Sequence, residues 1–163
     1  MSRAPFQILV IAFRQDPSDS VQYAVLTRQD SGHGQGVAGG GEQGETPGQA
    51  AARELAEELG LTRPVPLYSL GTTASIPARH FSDRGAWPVG TYVIPEHTFA
   101  ADVTDADVTL SHEHTAIAWL DYTHASSALR WDSNKTALGE LHERIEADDL
   151  PKPLGVFPRP ARS

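Results

Sequence analysis

A glycine-rich segment that runs straight into an acidic helix is the strongest structural constraint in this sequence. Seven glycines lie within residues 31 to 45. Glycine adopts positive φ angles and lets other groups approach the backbone closely, so this density predicts a loop. No linker separates the segment from the residues that follow it, so the two are predicted to act as one structural unit.

The residues after the glycines carry the start and stop signals of a helix. Thr46 and Pro47 are suited to the N-cap and the first helical position, and Gln49 completes a capping box with Thr46. Gly60 is suited to end the helix in the left-handed conformation. The sequence therefore predicts a helix over residues 47 to 59.

Three glutamates share one face of this predicted helix, because Glu57 and Glu58 lie three and four positions after Glu54. Like charges at these spacings cost about 0.2 to 0.5 kcal/mol per pair. A solvated acidic face, partly balanced by Arg53, is the ordinary explanation. The adjacent glycines favour a divalent cation held by carbonyl and carboxylate oxygens, which are the ligands that Mg²⁺ prefers.

The charge of the chain restricts its partners. The formal net charge is −8, whereas binding to a nucleic-acid polymer without sequence preference needs a basic surface. We therefore expect no nucleic-acid polymer as a partner. An anionic small molecule would need a cation between itself and this protein, and a bound metal ion supplies one.

Composition also bounds the location and the number of domains. Cysteine is absent, which excludes disulfides and thiolate zinc sites and is compatible with the cytoplasm. No apolar run reaches the roughly 18 residues of a membrane helix, so no membrane association is expected. A chain of 163 residues suits one domain. We expect it over residues 1–150, with a proline-rich tail over 151–163.

The remaining patterns predict a layered domain of strands and helices. Residues 6 to 13 and 21 to 28 are apolar and flank a turn, which predicts a β-hairpin. Further strands are predicted at 65 to 76, 89 to 95 and 114 to 122, and a second helix at 134 to 147. This mixed order implies an α/β or α+β fold.

A fixed spacing links the last glycines to the acidic helix. Its fixed positions are Gly39, Glu45, Arg53, Glu54, Glu57, Glu58 and Gly60, with the aliphatic Leu55 and Leu61 between and after them. This spacing resembles the complete box of the Nudix hydrolases, G-x5-E-x7-R-E-U-x-E-E-x-G-U, in which U is aliphatic. At ordinary residue frequencies, a chance match is on the order of one in ten million.

The resemblance implies a fold and an activity. Nudix hydrolases have an α/β/α sandwich around a mixed β-sheet, in which the box forms a loop, a helix and a loop. They are metal-dependent enzymes that hydrolyse the pyrophosphate of nucleoside diphosphate derivatives by attack of water on phosphorus. The resemblance therefore implies Mg²⁺, with Mn²⁺ as the alternative, and a nucleotide or pterin polyphosphate as substrate.

The resemblance also assigns roles to individual residues. Glu57 and Glu58 match the principal metal ligands, and Glu54 matches a carboxylate that binds metal or handles the attacking water. Arg53 matches the residue that orients a glutamate by a charge-assisted hydrogen bond. The carbonyl of Ala38, just before the box, matches a backbone metal ligand.

A second resemblance covers residues 113 to 145. The sequence there, with Glu-His, Trp-Leu-Asp, an alanine-rich short helix and Ser-Asn opening the last helix, is similar to dihydroneopterin triphosphate pyrophosphatases, a branch that also hydrolyses nucleoside triphosphates. By this match Glu113 is a candidate metal ligand or general base. The alternative for Glu113 is an exposed loop acid.

Four residues are candidates for binding the substrate. Arg28 matches a position that contacts phosphate in some relatives, and Arg79 could contact phosphate or base. Trp131 could stack on a base and Asn134 could form a hydrogen bond to it. The structural alternatives are surface arginines and a tryptophan that packs at the start of a helix.

Three hypotheses for function follow. The first is hydrolysis of a nucleoside or pterin triphosphate to a monophosphate and pyrophosphate. The second is hydrolysis of a nucleoside diphosphate conjugate, such as ADP-ribose, a nucleotide sugar or a dinucleoside polyphosphate. The third is a non-catalytic ligand sensor, which usually lacks some of the carboxylates retained here. A homodimer is possible in each case.

Overall fold

The computed structural model describes residues 2 to 155 and contains seven strands and three α-helices within that range. In chain order they are β1 (Arg3–Gln15), β2 (Val21–Arg28), β3 (Gly34–Gln35), β4 (Val37–Glu42), α1 (Pro47–Leu59), β5 (Leu67–Pro77), β6 (Val93–Asp102), β7 (His114–Leu120), α2 (Tyr122–Ala128) and α3 (Asp132–Glu146). None of these helices is long and apolar enough to span a bilayer.

The seven strands form one mixed sheet with β1 at its centre. One edge of β1 pairs with β6 in parallel. Its other edge pairs antiparallel with β4 and, at its C-terminal end, with β2. Beyond these, β5 pairs with β6, and β2 pairs with both β3 and β7. This arrangement confirms the α/β class and the mixed sheet expected from the sequence.

Helices cover both faces of the sheet, which is why β1 is apolar along most of its length. Alternate residues of β1 point in opposite directions. Ile8 and Val10 pack in the core beneath α1, whereas Leu9 and Ile11 pack in the core beneath α2 and α3. The result is an α/β/α sandwich with two apolar layers.

The predicted hairpin and the predicted first helix are confirmed. Phe13 of β1 pairs with Tyr23 of β2. The capping box of α1 is formed, because Thr46 Oγ1 accepts the backbone N–H of Gln49 at 3.2 Å and Gln49 Oε1 accepts that of Thr46 at 2.9 Å. Gly60 ends the helix with φ of 61°, as its sequence position predicted.

The prediction of a loop over the whole glycine-rich segment is wrong, because β3 and β4 form inside it. The glycines of β4 instead let side chains of β1 pack directly against the strand backbone. A side chain at Gly41 would overlap the ring of Phe6, and one at Gly40 would overlap the guanidinium of Arg3. Glycine inside a strand often marks such an approach, and composition alone does not separate this case from a loop.

The strand predicted at residues 89 to 95 lies further along, at Val93–Asp102. Two polar residues inside it, Glu96 and Thr98, are buried, so the apolar alternation that identifies a strand is broken in the sequence. The strand predicted at 114 to 122 ends at Leu120, because Asp121 caps α2 by accepting the backbone N–H of His124.

The last helix starts two residues earlier than predicted, and the tail segment begins against the sheet. Asp132 is the first residue of α3. Residues 151 to 155 form no helix or strand, and the backbone N–H of Leu154 donates to the carbonyl of Leu67 at 2.7 Å. The rest of the predicted tail, residues 156 to 163, lies outside the described residues.

We expect Glu140→Ala to destabilise the fold by about 1 to 3 kcal/mol at neutral pH. Glu140 of α3 accepts the backbone N–H groups of Gly71 and Thr72, both at 2.7 Å, where the register of β5 shifts. It also accepts the Thr72 hydroxyl and Arg144 Nε. Urea unfolding measures the effect, and Glu143→Ala on an exposed position of the same helix is the control.

The same variant has a defined pH dependence. The hydrogen bonds from β5 and Arg144 outweigh burial and lower the pKa of Glu140. A lowered folded-state pKa stabilises the protein above the unfolded value of about 4.3, and this stabilisation is lost as the pH falls through the folded-state value. The difference between wild type and Glu140→Ala should therefore shrink in acid. A difference in the free energy of unfolding that stays constant with pH would contradict this prediction.

Candidate active site

Arg53 is the centre of a polar network that joins the glycine-rich strand to α1. Its Nε and Nη2 donate to the two carboxylate oxygens of Glu45 at 2.9 and 3.0 Å. Nη2 also donates to the carbonyl of Gly40 at 2.9 Å, and Nη1 donates to Glu54 Oε1 at 2.8 Å. The side chain of Arg53 is only 10% exposed, so this fork fixes β4, the turn and the helix relative to one another.

Glu54 is held in a partly buried position beside β4. Its carboxyl group lies so close to the α-carbon of Gly39 that any side chain at position 39 would overlap it. Burial is the largest influence on its pKa and outweighs the opposing effect of Arg53, and the charges of Glu57 and Glu58 act in the same direction as burial. The resulting pKa is raised to about 7. The carboxyl group therefore sits where an additional cation would be favourable.

Glu57 and Glu58 have contrasting surroundings. The Glu57 side chain is 59% exposed, and its nearest cation is Arg53 Nη1 at 3.6 Å. The Glu58 side chain is 6% exposed, and its Oε2 accepts the Ser111 hydroxyl at 2.8 Å. The same oxygen lies 2.7 Å from Nδ1 of the buried His114, without the alignment of a hydrogen bond.

The donors around α1 fit a hard divalent metal by chemical type. Carboxylate oxygens from one helix and a backbone carbonyl on β4 are the ligands that Mg²⁺ takes. Glu54, which is partly buried and only partly neutralised by Arg53, gives the structural reason for a cation there. Among residues 2 to 155, however, no three acidic or histidine side chains are gathered closely enough to form a ready metal cluster. Glu58 instead faces Ser111 and His114.

Arg28 and Glu113 lie together at the edge formed by β2 and β7. Arg28 pairs in register with His114, and the carbonyl of Glu113 accepts the backbone N–H of Gln29 at 3.0 Å. Arg28 makes a two-bond ion pair with Asp30, and the charges of Glu113 and Glu58 further raise its pKa. The structure thus brings Arg28 and Glu113 to the side of α1 where Glu58 lies.

The three other candidates for substrate binding occupy different positions. Arg79 is exposed in a short 3-10 turn after β5. Trp131, at the N-cap of α3, is 48% exposed and makes an edge contact with His33. Asn134 is 4% exposed, and its Oδ1 accepts the backbone N–H of Gly36 at 2.8 Å. Asn134 therefore ties α3 to the junction of β3 and β4.

Sequence reasoning did not identify the partners of Glu58. Ser111 and His114 lie more than 50 positions away from it in the chain. The loop that carries them is anchored on the end of α1, where the backbone N–H of Thr109 donates to the carbonyl of Leu59 at 2.8 Å. Only the Glu-His pair at residues 113 and 114 gave a signal, and the resemblance assigned a role to Glu113 and none to His114.

Gly39→Ala is expected to lower kcat about tenfold or more, with a smaller loss of stability than a variant that removes the whole Arg53 fork. The added methyl group would displace the Glu54 carboxyl group from Arg53, and misplacement of a catalytic group by about 1 Å can cost about a hundredfold in rate. Gly85→Ala is the control, because a side chain there meets open space. Unchanged kcat in Gly39→Ala would show that the position of Glu54 does not matter.

Comparisons with known proteins agree with this geometry. The NUDIX domain family matches residues 5–140. The crystal structure of a NUDIX hydrolase from Listeria monocytogenes is 46% identical and covers 90% of this chain and 98% of its own, with a TM-score of 0.81. The E. coli dihydroneopterin triphosphate pyrophosphohydrolase is 29% identical over 85% of this chain and 94% of its own, with a TM-score of 0.63.

One curated sequence also matches part of the chain. It is an octanoyltransferase from Myxococcus xanthus, 44% identical over 90 residues, which are 54% of this chain. The matching part is only 22% of the length of that relative. The similarity therefore concerns a segment of a much longer protein.

Proposed function

Since this chain belongs to the Nudix hydrolase family and is a pyrophosphohydrolase, we propose that its substrate is a nucleoside or pterin triphosphate, which it cleaves to a monophosphate and pyrophosphate. The observation that carries this proposal is the Arg53 network, which holds the partly buried Glu54 beside the exposed Glu57 on one helix. The similarity to the E. coli enzyme, which is named for dihydroneopterin triphosphate, supports a triphosphate over a diphosphate conjugate.

Glu54, Glu57, Glu58, Glu113 and the carbonyl of Ala38 are the proposed ligands of the metal, which we propose to be Mg²⁺, with Mn²⁺ as the alternative. When bound, such an ion neutralises phosphate charge and makes water a better nucleophile. Binding through Glu58 requires sharing its carboxylate with Ser111 and His114, or a rotation of the side chain away from them. Its second oxygen, Oε1, has no hydrogen bond among the described residues.

The protein positions the reacting groups in this proposal. Water attacks a phosphorus atom, the bridging P–O bond breaks and pyrophosphate leaves. Glu54 or Glu113 accepts the proton of the attacking water. Arg53 keeps Glu54 oriented, and Arg28 and Arg79 are proposed to contact the phosphates. A base stacked on Trp131 would lie near Asn134 at the start of α3. The cytoplasmic location and the homodimer stay predictions.

A substrate panel with product identification tests the proposal. Nucleoside triphosphates, dihydroneopterin triphosphate, ADP-ribose, a nucleotide sugar and a dinucleoside tetraphosphate are incubated with the protein and Mg²⁺. Release of pyrophosphate from a triphosphate is the expected result. Preferential cleavage of a conjugate into two monophosphate-bearing products would contradict the proposal and favour hydrolysis of a nucleoside diphosphate conjugate.

Mg²⁺ is expected to raise the melting temperature. Binding to the native state alone at tenfold Kd stabilises it by about 1.4 kcal/mol, which for a protein of this size is about 3 to 6 °C. Differential scanning fluorimetry with added MgCl₂ measures the shift, and KCl at matched ionic strength controls for charge screening. An identical curve with both salts would count against the metal site.

A further inference from the structure

Three buried polar atoms without hydrogen-bonding partners within residues 2 to 155 lie on the sheet face opposite α1. Five buried side-chain atoms lack a hydrogen-bonding partner among the described residues, and two of these belong to His114. The other three are Arg3 Nε, Glu96 Oε1 and Thr98 Oγ1. Glu96 and Thr98 alternate with Ala100, which packs in the core beneath α3, so both side chains point toward α3.

These three residues lie on adjacent strands. Gln7 pairs with Glu96 across β1 and β6, and Leu9 pairs with Thr98. Arg3 Nη2 donates to Gln7 Oε1 at 2.5 Å, and the Arg3 guanidinium lies over Gly40, on the other side of Gln7 from Glu96. Adjacent strands are about 4.8 Å apart. Glu96 and Thr98 lie two residues apart on β6, about 6.6 Å along the strand, so their unpartnered atoms are spaced on the scale of one heterocyclic ring.

The first turn of α3 borders the same row. Burial raises the pKa of Glu96, and the side chain of Ser133 opposes this shift. The half-exposed ring of Trp131 stands two residues earlier. Glu96 is 5% exposed and Thr98 is 3% exposed. Buried polar atoms without partners are rare and costly, so a ligand or a water is expected to complete them.

Gly40 connects this row with the Arg53 network. Its carbonyl accepts Arg53 Nη2, while its α-carbon is packed against the Arg3 guanidinium. Gln7 pairs with Glu96 on one side and with Gly40 on the other, so two strand spacings of about 4.8 Å separate Glu96 from Gly40. A molecule held by a ring at Glu96 can therefore extend a phosphate chain toward α1, and one ligand can use both sites.

We propose that Glu96 selects the ring of the substrate by accepting N–H groups from a 2-amino-4-oxopyrimidine ring, the unit that guanine and pterins share. This unit carries two adjacent N–H donors beside a carbonyl. The Glu96 carboxylate is an acceptor for the two N–H groups, and the Thr98 hydroxyl can donate to the carbonyl. Adenine has no carbonyl and lacks the paired donors. The inference rests on the proposed function, because it names the ring that the triphosphate carries.

Binding of ligands without phosphate tests this inference separately from catalysis. Guanosine, neopterin and adenosine are titrated into metal-free protein by calorimetry or NMR, so that neither the acidic helix nor turnover contributes. We expect guanosine or neopterin to bind at least tenfold more tightly than adenosine. The tighter of the two identifies the source of the ring.

Two variants locate the effect. Glu96→Gln has the same shape and is expected to weaken the preferred ligand at least tenfold, which is about 1.4 kcal/mol, with adenosine unchanged. Thr98→Val removes the hydroxyl alone and is expected to weaken the same ligand severalfold. Glu143→Gln, on an exposed part of α3, is the control. Melting temperatures verify that each variant folds.

Several results would overturn the inference. Equal affinity of wild type for guanosine and adenosine would exclude selection by a donor edge. Unchanged affinity in a folded Glu96→Gln protein would mean that water completes the buried atoms. If triphosphates are still hydrolysed in either case, the proposed function stands and only the role of Glu96 fails. If the protein selects the ring but hydrolyses no triphosphate, the role of Glu96 stands and the proposed function fails.

Discussion

Glu57→Gln is expected to lower kcat by at least about a hundredfold while the protein stays folded. Replacing residues that merely support metal ligands costs about 10- to 100-fold, and Glu57 is proposed as a ligand itself. Its side chain is 59% exposed and makes no hydrogen bond among the described residues. Glutamine keeps the shape and removes the charge, so the loss should fall on metal binding and catalysis.

The measurement is steady-state kinetics across a range of Mg²⁺ concentrations, together with thermal unfolding. The melting temperature without metal should match or slightly exceed that of wild type, because one of several neighbouring negative charges is gone. Glu42→Gln is the matched control. It removes the same charge at 4.0 Å from Arg53 Nε, outside the proposed ligands, and kcat should change only a fewfold. Near wild-type kcat for Glu57→Gln at saturating Mg²⁺ would exclude the ligand role.

Arg53→Lys is expected to have the largest effect on stability, a loss of about 2 to 4 kcal/mol in the free energy of unfolding. One ammonium group cannot replace the planar fork that reaches Glu45, Glu54 and the Gly40 carbonyl together. At least one carboxylate with 14% side-chain exposure would lose its cation. The turn before α1 would then lose its link to β4, and kcat should fall together with stability.

Chemical denaturation and kinetics on the same preparation separate the two effects. Arg63→Lys, at an exposed position after α1, is the control and should leave both quantities unchanged. Adding Mg²⁺ should recover part of the lost stability, since the metal would neutralise carboxylates that Arg53 no longer reaches. Wild-type stability in Arg53→Lys would show that the hydrogen bonds of the network contribute little.

Local signals predicted the elements that depend on a few neighbouring residues. The capping box and the αL glycine set the two ends of α1 almost without tertiary help, because both satisfy backbone groups of the helix itself. The hairpin of β1 and β2 followed from two apolar runs and a turn. By contrast, the predicted bounds of β6 were wrong, because Glu96 and Thr98 are buried in spite of their polarity.

The sequence by itself determined the acidic helix, its boundaries, the spacing of the box and the clustering of negative charge at Glu54, Glu57 and Glu58. These features depend on helical periodicity and on charge, which are local properties. Only the tertiary structure decided that the glycines form a strand, that Glu58 faces Ser111 and His114, and that Arg3, Glu96 and Thr98 share one sheet face. These relations join residues far apart in the chain, and they exist only after the strands have paired in a definite register.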